Sequence, residues 1–160
     1  MNLSSLKDYR VLPVVTAVDA ESTVKLARAL QRGGMKAIEI TLRTPAALDS
    51  MVAVQQEVPD IQVAAGTVNS PGDLEKVLNI GVELALSPGA TPELLRAAAD
   101  SPIAFVPGVA TASEVMRGMA LGFEVFKLFP AVTVGGKGML NSLGGPFPDI
   151  RFCPTGGLNA

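Results

Sequence analysis

Residues 11–42 read "VLPVVTAVDAESTVKLARALQRGGMKAIEITL", a strand, a helix and a second strand in that order. Two short runs rich in β-branched residues, 11–17 and 37–42, enclose the helical pattern "DAESTVKLARALQRGG". That pattern opens on an aspartate, a good N-cap, and closes on a glycine pair, a good stop. Strands joined by a helical crossover of this length lie parallel, since antiparallel neighbours need only a short turn.

The unit recurs along the chain. Further strands are predicted at 61–66, 82–87, 103–108, 124–129 and 150–155, with helices in "TPAALDSMVAVQQEV", "SPGDLEKVLNIG", "TPELLRAAAD" and "TASEVMRGMALG". The segment 132–149 reads as a glycine-rich loop with one short helix. A spacing of roughly 20–26 residues per unit is what an eightfold barrel requires. The expectation is therefore one α/β domain over residues 1–160, a (β/α)8 TIM barrel that stops after its seventh strand and lacks the C-terminal eighth βα unit. A doubly wound open sheet is the alternative.

Composition narrows the chemistry. Of 160 residues, 48% are apolar and 18% charged, which suits a globular core; the net charge of −2, without a dense basic run, argues against a nucleic-acid partner. No apolar stretch approaches a membrane span, and the N-terminus has no export-type apolar core, so no membrane partner and a cytoplasmic location are expected. A single cysteine, Cys153, forms no internal disulfide and reads as a small buried hydrophobe. With no histidine, Ser-His-Asp and Cys-His catalysis and histidine metal sites are excluded.

In a parallel barrel the chemistry collects where strands end. The predicted second strand carries Glu39, Thr41 and Arg43 on one face by period-two alternation. The third ends at Thr67, the fourth at Ser87 and Pro88, and the seventh at Gly156 and Gly157. The sixth, "GFEVFKLFPA" (122–131), holds Lys127 among apolar neighbours. Each has a plain structural alternative: Lys127 a snorkelling edge lysine, Glu39 an ion-paired barrel carboxylate, Arg43 a surface residue at a helix start. Thr67 and Ser87 could be helix caps, and the glycine pair a turn. Lys137 reads as solvated, and Pro88 and Pro107 as shaping the rim. Taken together, however, a lysine, a carboxylate and an arginine at one rim form a reaction kit. Burial, helped by a neighbouring cation such as Arg43, disfavours an ammonium and leaves an amine able to attack a ketone. Glu39 would serve as general acid and base, and Arg43 as a bidentate carboxylate clamp. The "TGG" turn lies where barrels commonly hold a phosphate.

Four motifs, "GMKAIEITLRT" (34–44), "AAGTV" (64–68), "GFEVFKLFPA" and "GGPFPDIRFCPTGG" (144–157), occur in an order that resembles the 2-keto-3-deoxy-6-phosphogluconate and 4-hydroxy-2-oxoglutarate aldolases. The resemblance runs from about residue 11 to 160. It implies a metal-free class I aldolase, a homotrimer in the complete protein, acting on a keto-acid or sugar-phosphate substrate in the Entner–Doudoroff pathway. It implies Lys127 as the Schiff-base lysine, Glu39 as acid and base, and Arg43 and Thr67 as carboxylate binders. Gly156 and Gly157 would contact phosphate. Val132 stands where relatives often have a glutamate, and the family's eighth strand and its phosphate-binding serine have no counterpart in the chain. Two other readings remain: a truncated or inactive barrel, and a phosphosugar isomerase or synthase without a covalent intermediate.

Overall fold

The computed structural model describes residues 11–158. Its elements run β1 (Val14–Val15), α1 (Ala20–Arg32), β2 (Ala37–Thr41), α2 (Ala47–Glu57), β3 (Gln62–Gly66), α3 (Pro71–Asn79), β4 (Leu84–Leu86) and α4 (Pro92–Ala99). They continue through β5 (Ala104–Val106), β6 (Gly108–Val109), α5 (Ala112–Met119), β7 (Val125–Leu128), α6 (Gly136–Gly144) and β8 (Arg151–Pro154).

Most helices begin where a short polar side chain can take an otherwise unpaired backbone N–H. Asp19 caps α1 by accepting from Ser22 N at 2.7 Å. Ser70 and Thr91 cap α3 and α4, each followed by proline in the first turn. Thr111 and Glu114 form a reciprocal capping box on α5. The exceptions are α6, which follows Gly135 with no side-chain cap, and α2. "TP" at 44–45 reads as a cap, but the helix starts at Ala47, and Thr44 donates its hydroxyl to Ala17 O at 2.7 Å. That hydroxyl ties the start of the second crossover to the exit of β1.

Every strand pair is parallel, in the orders β1-β2-β3-β4-β5 and β6-β7-β8. The predicted fifth strand, 103–108, is thus two strands broken at Pro107, which has no N–H to donate. Ser87 N donates to Val106 O on one side of the break, and Lys127 N to Pro107 O at 2.9 Å on the other. Gly108 sits against the backbone leaving β4: a methyl group there would lie 2.6 Å from Gly89 N. The predicted first strand shortens to two paired residues, and among the described residues no pairing joins β1 to β8, so the barrel is not closed.

Alternation sorts the side chains into two layers. Ile38, Ile40, Val63, Ala65, Phe105, Phe126 and Leu128 face outward and pack with helix residues such as Val24, Met51, Leu74, Leu94 and Val115. The inward set is smaller: Ala64, Leu84, Leu86, Ala104, Val106 and Val125, with Leu12 against them. Glu39 and Lys127 occupy inward positions of β2 and β7, by the same alternation.

Candidate active site

Lys127 is one residue from the end of β7, with Phe126 and Leu128 turned outward, so its own side chain must enter the barrel. Glu39 sits midway along β2, between Ile38 and Ile40. The two meet across the interior: Lys127 Nζ donates to Glu39 Oε1 at 2.8 Å, with the residues only 4% and 1% exposed. The amine also lies 5.7 Å from the centroid of the Phe129 ring, within cation–π range. Expectation and structure differ here in one respect. Sequence reasoning set the Arg43 cation beside the lysine, whereas the group it bonds is the Glu39 carboxylate. Desolvating an ion pair this completely is costly and tolerable only at short range and good geometry.

A cavity of about 920 Å3 adjoins the pair. Glu39, Arg43, Gly156 and Gly157 line it together, as do Phe129 and Cys153. Arg43, in the turn after β2, is exposed and makes no ion pair among the described residues. With Arg151 also on the wall, the lining carries two arginines and one carboxylate, a balance that favours an anionic occupant.

Gly156 and Gly157 have φ of +102° and +76°. The turn they make is seated on the segment after β7: Val132 N donates to Gly156 O at 3.1 Å, and a methyl group at 156 would come within 3.3 Å of the Phe129 ring. Glycine therefore serves both the backbone conformation and the close approach.

Thr67 does not line the cavity as delimited by the other site residues. It follows β3 directly, half-buried, with φ of +60°. A β-branched residue in the left-handed region is strained, a feature that clusters at functional sites. It is not a helix cap; Ser70 has that role. Ser87 is not one either, because its Oγ accepts from Gly108 N at 3.2 Å. Thr41 donates to Val15 O at 3.0 Å, so its hydroxyl is used in holding β1.

Sequence reasoning passed over Phe129 and misplaced Cys153. Phe129 shares the Lys127 face by period two, a signal available in "KLF". Cys153 pairs with Lys127 in register and is half-buried on the cavity wall rather than packed away. Burial pushes its thiol pKa up, the Glu39 carboxylate adds to the rise, and Thr155 and Lys127 oppose it.

The arrangement can bind a small anion at Arg43, present a lysine amine to its carbonyl and move protons on a carboxylate 2.8 Å away. Among the described residues no group of three or more acidic, cysteine or histidine side chains could hold a metal ion, and no helix is long and apolar enough to cross a membrane.

Comparison with known proteins agrees with this chemistry. The family model described as KDPG and KHG aldolase matches residues 3–160. The 2-dehydro-3-deoxy-phosphogluconate aldolase of Pseudoalteromonas atlantica is 47% identical over 149 residues, 93% of this chain and 69% of that protein. The KHG/KDPG aldolase of Escherichia coli is 45% identical, over 93% of this chain and 70% of its own length. A crystal structure of the Legionella pneumophila KDPG aldolase, with pyruvate captured as a covalent carbinolamine, superposes with a TM-score of 0.90 at 44% identity. That match covers 93% of this chain and 72% of the other.

Proposed function

The chain belongs to the KDPG and KHG aldolase family, and from that membership we propose how its residues carry out a class I aldol cleavage. The reaction splits 2-keto-3-deoxy-6-phosphogluconate into pyruvate and glyceraldehyde 3-phosphate, and the double name of the Escherichia coli relative extends it to 4-hydroxy-2-oxoglutarate.

In this reading Lys127 passes a proton to Glu39, its freed Nζ lone pair attacks the C2 ketone, and Glu39 returns the proton to the oxygen that leaves as water. The carbinolamine loses water to give an iminium, which acts as an electron sink. Glu39 takes the proton of the C4 hydroxyl as the C3–C4 bond breaks; the bonding pair becomes the C2=C3 bond of an enamine, and the aldehyde departs. Glu39 then returns the proton to C3, and water releases pyruvate. Arg43 clamps the substrate carboxylate, a role its exposed and uncommitted guanidinium suits. Thr67 assists from the strained end of β3, and the Gly156–Gly157 turn offers backbone to the phosphate. The partner is a small keto acid; we further propose a cytoplasmic homotrimer without a metal, the trimer to be tested by sedimentation.

The observation that carries the reading is the buried Lys127–Glu39 pair, whose glutamate lines an arginine-flanked cavity. Borohydride with pyruvate tests it. One reduced pyruvyl group should appear on the peptide containing Lys127, and Lys127→Ala should abolish it. Labelling at Lys36 or Lys137 would overturn the assignment, and no trapped imine at all would favour a barrel isomerase or an inactive barrel.

A further inference from the structure

Gly66 ends β3 with no backbone reason to be glycine. Its φ is not among the positive values of the chain. It pairs in parallel register with Thr41, and its carbonyl accepts from Leu42 N at 2.9 Å, as any strand residue's would. Ala64, two residues earlier on the same face, carries a methyl group and is fully buried.

What distinguishes position 66 is the Glu39 side chain. A methyl group built on Gly66 would overlap Glu39 Oε1 and lie 2.8 Å from its Cγ and 2.9 Å from its Cδ. Carbon atoms in contact need roughly 3.5–4.0 Å. The glutamate therefore leans toward the mouth of the barrel through the space that a side chain at 66 would fill. The oxygen that would be displaced, Oε1, is the one that accepts from Lys127 Nζ. Moving it by about 1 Å would stretch a 2.8 Å bond to the limit at which hydrogen bonding ends.

We propose that Gly66 is a positioning residue for proton transfer: the side chain it lacks gives the Glu39 carboxylate its place beside Lys127. The proposal rests on the assignment of proton transfer to Glu39. The step it serves is the loss of a C3 proton from the pyruvyl iminium to Glu39, with the C–H pair forming the enamine double bond and neutralising the nitrogen.

Gly66→Ala should still yield the borohydride adduct at Lys127 with pyruvate. Deuterium exchange at pyruvate C3 in heavy water should fall about 10²-fold or more, as expected when a general base is lost. In a Glu39→Gln background, where the base is already gone, Gly66→Ala should leave the residual exchange unchanged. A second arm reads the space itself. Gly66→Ala should lower the melting temperature in the native chain but not beside Glu39→Ala, whose missing carboxylate vacates the site. Wild-type exchange in Gly66→Ala, or an equal melting loss in both backgrounds, overturns the proposal. Should Gly66→Ala fail to fold, its folding beside Glu39→Ala and Lys127→Met, where no charge is left stranded, supports it and failure there overturns it. If the native chain traps no pyruvate at Lys127, the aldolase assignment fails, while the melting arm still decides whether Gly66 sets the carboxylate's place.

Discussion

Lys127→Met should make the protein inactive and much less stable, and adding Glu39→Leu should restore the stability without the activity. The argument follows from burial. Glu39 is 1% exposed, and Lys127 Nζ is the one protein donor to its carboxylate among the described residues. Removing the lysine strands a carboxylate in a setting that offers little else, at a cost of about 3–5 kcal/mol for a buried pair broken from one side. Glu39→Leu alone strands the ammonium and should cost a similar amount. Replacing both by apolar residues of similar volume removes the desolvation penalty along with the attraction, so the double variant should lie within about 1 kcal/mol of the native chain or above it. For a chain of this size the single variants should melt on the order of 10 °C lower.

Urea unfolding of the four proteins at pH 7, followed by far-UV circular dichroism, measures the coupling as a double-mutant cycle. The expected coupling is several kcal/mol, in favour of having both charges or neither. Single-variant losses below about 1 kcal/mol that simply add would refute the reasoning, because they would mean the pair is hydrated and its burial has no energetic weight.

Other perturbations separate the remaining roles. Glu39→Gln should lower kcat about 10²–10⁴-fold while pyruvate still forms an imine; kcat within a few-fold of native would assign the proton to another group. Arg43→Lys should raise KM for the keto acid roughly tenfold, since lysine cannot form the bidentate pair, and should barely move the melting temperature; the opposite pattern would make Arg43 structural. With burial raising the Cys153 pKa, iodoacetamide should label it slowly near neutrality and faster as pH rises past the ordinary thiol range; complete labelling within minutes at pH 7 would contradict this. At the start of α5, burial pushes the Glu114 pKa up, but the N–H groups of Ala110 and Thr111 and the Thr111 hydroxyl together hold it below the usual carboxylate value. The contribution is thus present above pH 4.5 and lost as pH falls through the lower folded value. Glu114→Gln should cost about 0.5–1 kcal/mol near neutrality, and a gap from the native chain that did not narrow in acid would disprove the link.

The repeating strand–helix order was legible because each crossover carries its own local punctuation, such as Asp19 before α1 and Ser70-Pro71 before α3. The reaction kit was legible because one charged residue in an apolar strand is a conflict that local propensity cannot resolve. What escaped were features made by distant segments meeting. The break between β5 and β6 depends on Gly108 lying under the Pro88–Gly89 backbone, about twenty residues away in sequence. Thr44 and its proline carry a good helix-start signal, yet the hydroxyl goes to Ala17 O instead. The partner of Lys127 likewise comes from 88 residues away, so neither "FKLF" nor "AIEIT" could announce it alone.

The two layers of side chains explain how such a pair can persist. The outward faces of the strands, with Ile38, Ile40, Phe105 and Phe126 against the helices, bury most of the large apolar groups. Neither Glu39 nor Lys127 belongs to that layer, and the inward layer beside them is built largely from alanine, valine and leucine. Stability and chemistry are therefore held on opposite faces of the same strands, one residue apart. Phe126 faces outward and meets Gly118 of α5, where a methyl group would overlap its ring; Lys127 faces inward and meets Glu39. A substitution at Phe126 acts on helix packing, and one at Lys127 on the reaction, although the two share a peptide bond. The penalty of desolvating two charges can then be offset by a core that need not rearrange around them. Small residues on the inward face follow from the same division. They cost little in outer-layer packing, and at Gly66 they leave the carboxylate room to reach its lysine.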